Sequence, residues 1–456
     1  MAPVSHLSPS FDKTFQFSLS AKKLTSIRVR MRVGDICPGI AHAVPAKDGL
    51  LVRIRMPGGI INPAQFAAIA TASATCADGQ VEVTSRSNLQ LRGIGVHALA
   101  PLVEDLIAAG LLPSHTHDRV RNILLSPLAG LDAGELYDSR PMARLLDQRL
   151  LANPEFAELP PKFSIAIDGG GQWFSHETSD LVLSAFPSTG SVRWHLSIGG
   201  IATPIVTATE NAVPCLLAAS QACLGARDRY GISPRGRALV AHPAAFHAAV
   251  TQLGEFALPL APPSGFRQVS GIPLGVYPGK HRGLLHIVPS VPLGRISASQ
   301  AHTIAALARE ASLDLRLAPW RGLVLGMAAE DSAPKLIRCL DDLGLPVDGR
   351  DGYAGIAACA GLAGCEASLA DVRADAAALA GRLAGRGLRP GWRVGFSGCE
   401  KQCAMRVPST VKLIAGQTGY RIEIEEKCTD ENCSPEDAIA MIASLRTSAY
   451  GDHRDA

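Results

Sequence analysis

Four short stretches of this 456-residue chain recur at a nearly constant offset of 234 or 235 positions, and that duplication restricts the fold more than any motif does. Gly49-Leu50-Leu51 returns as Gly283-Leu284-Leu285. Pro57-Gly58-Gly59-Ile60-Ile61-Asn62-Pro63-Ala64-Gln65 returns as Pro292-Leu293-Gly294-Arg295-Ile296-Ser297-Ala298-Ser299-Gln300. Leu89-Gln90-Leu91 is answered by Leu323-Val324-Leu325, and Pro127-Leu128-Ala129-Gly130 by Gly361-Leu362-Ala363-Gly364. A single match of this length is weak; four at one offset describe a unit written twice.

Each copy reads as strand, turn, helix, strand. Leu50 to Met56 alternates apolar residues with Arg, as a half-buried strand does. Asn62 and Ser297 are suited to cap the helices Phe66–Thr75 and His302–Glu310, with Pro63 at the first helical position of copy one. Second strands are expected at Val81–Thr84 with Leu89–Ile94, and at Leu313–Leu317 with Leu323–Met327. A longer α+β segment follows each copy. The expected organisation is a loose Ser-rich tail (1–30, with Met31 an alternative start), a first small unit (31–100), a large α+β unit (110–255), a second small unit (265–347) and a second large unit (348–450).

The copies differ in chemistry. Copy one carries Arg53, Arg55, Arg86, Arg92 and Arg121; within one residue of slack, copy two has His286, Val288, Arg321, Gly326 and Gly355 there. Conversely, Cys359 and Cys365 stand where copy one has Leu125 and Leu131. One half is built to hold anions and the other a metal centre, and a site between them would use both.

Composition closes off other classes. A net charge of +3 gives no footprint for nucleic acid. No run of about 18 apolar residues suggests a membrane span. Asp12, Lys13, Lys22 and Lys23 interrupt any signal-peptide core, so a cytoplasmic location is expected. Eleven cysteines in such a chain are then not a disulfide framework. Cys76, Cys215, Cys223 and Cys339 read as small hydrophobes, and Cys428 and Cys433 as thiols of a surface loop.

The remaining four cysteines form Cys359-x5-Cys365 and Cys399-x3-Cys403. Four thiolates suit a [4Fe–4S] cluster, since soft sulfur matches iron and each iron needs one external ligand. Structural zinc favours tighter C-x2-C knuckles. Gly361, Gly364 and Gly398 let backbone pass close to a bulky group. Between the pairs, Ser368 with Asp371 suggests a helix cap, and a helix carrying Leu369, Val372, Ala376, Leu379 and Leu383 on one face should end near Gly385 and Gly387. A strand at Trp392–Phe396 returns the chain to Cys399. Asp168-Gly169-Gly170-Gly171-Gln172 reads as a hairpin loop. No Gly-x-Gly-x-x-Gly lies between a strand and a helix, so no nicotinamide site is expected.

The cysteine pattern, with Ser397-Gly398-Cys399-Glu400-Lys401-Gln402-Cys403, resembles the cluster motif of the sirohaem-dependent sulfite and nitrite reductases. The resemblance runs over nearly the whole chain from about residue 45: Val52 to Gly59 is similar to that family's first strand, Thr84 to Gln90 to its Thr-x-Arg-Gln motif, and Arg121-Asn122-Ile123 and Pro161-Lys162-Phe163 to two further segments. It implies an internally duplicated α+β fold, two ferredoxin-like half domains forming a pseudo-twofold unit plus two larger reductase-like domains. It also implies that Cys359, Cys365, Cys399 and Cys403 hold the cluster, and that Arg55, Arg86, Arg121 and Lys162 surround a tetrapyrrole. Cys403 would bridge cluster and sirohaem if sirohaem is present. Sirohaem and early cobalamin intermediates carry about eight acetate and propionate groups, which want guanidinium forks.

Departures from the reductases point to one branch. Lys162-Phe163-Ser164 replaces their Lys-x-Lys or Lys-x-Asn, so one group that would grip sulfite or nitrite is missing. Cys37-Pro38-Gly39, Asn122 to Gly130 and Pro319-Trp320-Arg321-Gly322 resemble the precorrin-3B synthase branch instead. That resemblance implies O2-dependent hydroxylation of precorrin-3A at C20 with lactone closure, a separate reductase as electron donor, and a mononuclear non-haem iron. Its ligands cannot be chosen from sequence; His195, His242, His281 and His286 are candidates only as histidines. Two rivals stand beside this reading: a sirohaem sulfite or nitrite reductase, and a non-catalytic tetrapyrrole-binding or cluster-carrying protein.

Overall fold

The computed structural model describes residues 37–448 apart from 174–178, 189, 264–273, 388–390, 406–409 and 426; the expected tail at 1–30 and Met31 lie outside the described residues. In the strand Gly49–Ile54, Leu50, Val52 and Ile54 are buried while the residues between them are half-buried. This is the alternation of a pleated strand with one face on a core. The strand runs into a turn at Pro57–Gly59 and then the helix Pro63–Cys76. Asn62 and Gln65 form a reciprocal capping box there, as Ser297 and Gln300 do for the helix Ala298–Glu310.

Val44–Ala46, Gly49–Ile54, Leu89–Ile94 and Gln80–Val83 lie side by side, and Arg295–Ser297 from the second copy adds a fifth strand. The second copy's own sheet is Gly275–Pro278, Leu284–Val288, Gly322–Ala329 and Asp314–Ala318. The exchange between copies is reciprocal. Ile296 pairs with Val81, and the Ile61 N–H donates to the Leu315 carbonyl at 3.5 Å; under the repeat offset these are one contact seen twice. Gly59 (φ 67°) and Gly294 (φ 73°) sit at the crossing, where an added Cβ would meet the Leu317 carbonyl at 2.5 Å and the Arg321 Cβ at 2.7 Å. Val52, Phe66 and Leu89 of one copy share a continuous core with Ile296, Ile304 and Leu325 of the other.

The two large units repeat each other as well. Ile123–Leu125, Ile165–Asp168, Leu181–Ser188, Ser191–Ile198 and Ile201–Ala208 form one sheet in chain order; Ile356–Ala358, Val394–Ser397, Val411–Ala415, Tyr420–Ile424 and Lys427–Cys433 form the other. In both, the first two pairings are parallel and the last two antiparallel. Each has its own apolar core. Cys215 and Cys223 are buried in the first of these, and burial pushes both thiols up to about 12.

Four sequence expectations change. Asp168–Gln172 is not a hairpin loop: Ile165–Asp168 and Leu181–Ser188 are parallel, and the first is buried throughout, as an interior parallel strand is. The helix Val372–Leu383 is capped by Asp371, whose side chain accepts from the Ala374 N–H, and not by Ser368. Cys428 and Cys433 lie on the edge strand Lys427–Cys433, one exposed and one in the core. Arg321 occupies the place of Ser87: both residues have positive φ (65° and 53°), and each N–H closes the same turn, onto the Ala318 and Thr84 carbonyls.

Candidate functional site

Arg53 and Arg55 leave the first strand on the side opposite Val52 and Ile54, and their surroundings are basic. The Arg53 Nη2 donates to the Gln90 Oε1 at 2.7 Å. Arg55, 4% exposed, reaches the Arg119 carbonyl through Nε (3.4 Å) and Nη2 (3.3 Å), and the Pro38 carbonyl through Nη2 at 3.3 Å. Among the described residues the Arg53 Nε and the Arg55 Nη1 are buried with no hydrogen-bond partner. Burial first, and then the neighbouring Arg86 and Arg321, pull Arg53 from 12.5 down to about 10; burial and Arg53 bring Arg55 to about 9, with Asp118 and Cys37 opposing. A guanidinium stays charged at neutral pH. Burial therefore costs both cations hydration that their neighbours do not restore, and a bound anion would offset it.

The segments around these arginines are tied to one another. The Asn88 Oδ1 accepts from the Met56 N–H at 2.8 Å, and its Nδ2 donates to the Asn122 Oδ1 at 3.3 Å. The Asn122 Nδ2 in turn reaches the Phe163 and Pro161 carbonyls at 2.9 and 3.1 Å. A relay of two buried amides thus brings together the segments bearing Arg55, Arg86 and Lys162. The turn from Cys37 to His42 is held over the strand by Asp118, whose carboxylate accepts from the Ile40 N–H (3.0 Å), the Ala41 N–H (2.9 Å) and His42 Nδ1 (3.0 Å).

The four cysteine-bearing segments also converge. Cys359 follows Ile356–Ala358 and donates its N–H to the Phe396 carbonyl. The next strand ends one residue before Gly398, whose N–H points at the Cys359 Sγ at 3.3 Å. Cys365 closes the short helix Gly361–Gly364. The turn after it packs on Gly398: the Leu369 N–H donates to the Gly398 carbonyl at 2.8 Å, and a Cβ at Gly398 would sit 1.9 Å from the Ser368 Oγ. Cys399 begins a turn closed by the Gln402 N–H, and Cys403 follows. Cys359, Cys365 and Cys399 are half-buried and Cys403 is exposed. Two loops at the ends of adjacent parallel strands, with an N–H aimed at a sulfur, fit a [4Fe–4S] cluster.

Arginines join the two halves. The Arg321 Nη2 donates to the Cys403 and Ala404 carbonyls at 3.1 and 3.0 Å. Arg92 forks onto Asp48 (2.8 and 3.0 Å) and donates to the Gly364 carbonyl, next to Cys365, at 2.5 Å. Arg373 and Arg295 both meet Glu82. The arginine-bearing half thereby faces the cysteine loops.

Of the residues singled out in sequence, Arg55 and Arg86 share the cradle, and Lys162 lies on the segment whose Pro161 and Phe163 carbonyls Asn122 holds, half-buried without a hydrogen bond or ion pair among the described residues. Arg121 does not join them: its fork is filled by Asp147 at 2.7 and 2.6 Å. The histidines are otherwise engaged. His195 donates to the Thr203 carbonyl, and His242 caps a helix through the Ala245 N–H. His286 uses both nitrogens, on the Leu131 carbonyl and the Met327 N–H, and His281 is exposed. Among the described residues no three His, Cys, Asp or Glu side chains gather to hold a single metal ion, so these residues do not fit a mononuclear iron as they stand. A cubane spreads its thiolates more widely than one ion does, so this bears on the mononuclear site alone. Arg53, grouped in sequence with the anion-holding arginines but not among the four expected around a tetrapyrrole, joins Arg55 here because their i, i+2 spacing on a strand puts both on one face. Nothing local announced the Asn88–Asn122 relay.

Known proteins share the duplicated fold. Residues 42–109 and 277–343 each match the nitrite/sulfite reductase ferredoxin-like half domain, and residues 116–212 match the nitrite and sulphite reductase 4Fe-4S domain. That last match falls on the large unit without the four cysteines; the unit bearing them has the same strand order. A precorrin-3B synthase of Sinorhizobium sp. is 30% identical over 411 residues, 87% of this chain and 85% of that protein. The ferredoxin–nitrite reductase of Synechococcus elongatus is 28% identical across 88% of this chain and 86% of its own. The structure of the Mycobacterium tuberculosis NirA protein superposes with a TM-score of 0.75 at 21% identity, over 89% and 82% of the two chains, a likeness of fold.

Proposed function

The chain belongs to the nitrite and sulphite reductase family, and we propose that within it the protein is a precorrin-3B synthase. It would hydroxylate precorrin-3A at C20 with O2, after which the ring-A acetate closes a lactone. One oxygen atom enters the macrocycle and the other leaves as water, with two electrons and two protons supplied through a separate reductase. The observation that carries the tetrapyrrole reading is the pair of buried guanidiniums, Arg53 and Arg55, with N–H groups left unfilled among the described residues, Arg53 lying within the field of Arg321, which holds the Cys403 segment. The likeness to a precorrin-3B synthase over most of the chain supports the choice of substrate.

Cys359, Cys365, Cys399 and Cys403 would hold the [4Fe–4S] cluster, which when bound supplies electrons one at a time. Arg53, Arg55 and Arg86 would receive substrate carboxylates, and Lys162 would add a charge at the edge. Each charge-assisted bond to a desolvated carboxylate is worth ~1.5–3 kcal/mol. Several such bonds would fix the macrocycle's orientation and decide which meso carbon is presented for reaction. The Asn88–Asn122 relay holds those segments in register, so the cradle is formed before substrate arrives.

The competing activity is nitrite or sulfite reduction, which the likeness to ferredoxin–nitrite reductase raises. Against it, Ser164 stands where a second oxyanion-gripping residue would be; it is buried, and its N–H is tied to the Asp180 carboxylate at 3.0 Å. Protein purified anaerobically and given precorrin-3A, reductant and O2 should return a macrocycle heavier by one oxygen atom. An unchanged macrocycle, together with sirohaem absorption and nitrite consumption, would replace this reading with the reductase one.

A further inference from the structure

We propose that Arg321 is a positioning residue for the cluster: it pins the loop of the last cysteine against the arginine cradle and biases the cluster toward its reduced state. The inference rests on the cluster assignment above and goes beyond it in naming a residue that holds no iron. The conformation of Arg321 is the first observation. Its φ of 65° lies in the left-handed region, which is costly for a residue with a side chain. In the other copy the same strained place is held by Ser87 (φ 53°), a small side chain that makes no such reach. At its base, Arg321 packs against Gly294, where any side chain would strike the Arg321 Cβ at 2.7 Å. At its tip it spans two successive carbonyls, those of Cys403 and Ala404, at 3.1 and 3.0 Å.

One guanidinium nitrogen, Nη2, donates to two adjacent carbonyls and so fixes the direction in which the Cys403 segment leaves its turn. The Gln402 before it is also in the left-handed region (φ 47°), so the turn has little slack of its own. The charge of Arg321 acts on the cradle as well, since it is one of the groups that pull Arg53 down. Reducing the cluster adds one negative charge next to this fixed cation, which favours the reduced state. The second large unit gives Cys403 no comparable anchor among the described residues: its sulfur meets only the Lys401 carbonyl, at 3.9 Å.

The test is a redox titration of the anaerobically purified chain, followed by EPR of the reduced form, with iron counted in each sample. Arg321→Gln should keep its iron while reduction becomes about tenfold less favourable, a fall of ~59 mV for one electron. Arg321→Lys, which retains the charge on a shorter side chain without the planar guanidinium, should fall less than threefold yet show an altered EPR line shape. Wild-type potentials in both variants would overturn the proposal. Should the Gln variant lose iron, the Lys variant decides: iron retained with an altered line shape upholds it, and an unaltered spectrum overturns it. Wild-type protein without iron would overturn the cluster assignment and this inference together, whereas iron-replete protein whose potential ignores residue 321 overturns the inference alone.

Discussion

Replacing Arg55 with methionine should make the ligand-free protein more stable and a worse binder. The side chain is 4% exposed and one of its three nitrogens has no partner among the described residues. Methionine keeps the length and removes the charge. Lost are three long hydrogen bonds of 3.3–3.4 Å, worth ~0.5 kcal/mol each at such lengths. Gained is relief of a buried, poorly compensated cation, on the order of 3–4 kcal/mol. The balance is a stabilisation of ~2 kcal/mol, a rise of about 4–8 °C in Tm for a unit of this size. Binding moves the other way, because one charge-assisted bond of ~1.5–3 kcal/mol disappears, weakening affinity about 10- to 100-fold. Thermal scanning of ligand-free protein reads the first quantity, and fluorescence titration with a polycarboxylate tetrapyrrole the second. A lower Tm with unchanged affinity would refute the reasoning, since Arg55 would then be a strut for the Cys37–His42 turn.

Three further outcomes follow from the geometry. Lys162→Met should leave stability within ~0.5 kcal/mol, because no partner is lost, yet weaken tetrapyrrole binding about tenfold in the same titration; a drop in Tm without a binding change would make Lys162 structural. Gly398→Ala forces a Cβ to 1.9 Å from the Ser368 Oγ, an overpacking cost of ~1–3 kcal/mol placed between Cys365 and Cys399, so iron content should fall sharply while far-UV CD is retained. Burial holds His286 below its usual 6.5, so the unfolded chain takes up the proton first and stability declines as pH falls through 6.5; His286→Gln should flatten the urea-denaturation midpoint between pH 7 and 5, and an unflattened profile would contradict the buried neutral state.

The duplication was legible because its signals are local: alternation in Leu50–Ile54, and Asn62 and Ser297 with glutamines three residues on, announce strand and cap without reference to the rest of the chain. The cysteine spacing was legible for the same reason. Partnership was not. Arg121 looked like Arg55 in sequence, but its fork meets Asp147 on the helix Arg140–Ala152. Arg92, grouped with the anion-holding arginines, turned out to brace the loop before Cys365. The glycines after Asp168 suit a hairpin and a crossover equally well, and only the burial of Ile165–Asp168 decides between them. Which arginine keeps an N–H free depends on carboxylates tens of residues away, and no window of sequence contains both.

Anomalous scattering at the iron edge, from anaerobically grown crystals, addresses the central claim most directly. One compact iron peak enclosed by the sulfurs of Cys359, Cys365, Cys399 and Cys403, on the side facing Arg321 and Arg53, is what the structure predicts. Iron density elsewhere, or those four thiols remote from any iron in an iron-replete crystal, would contradict it.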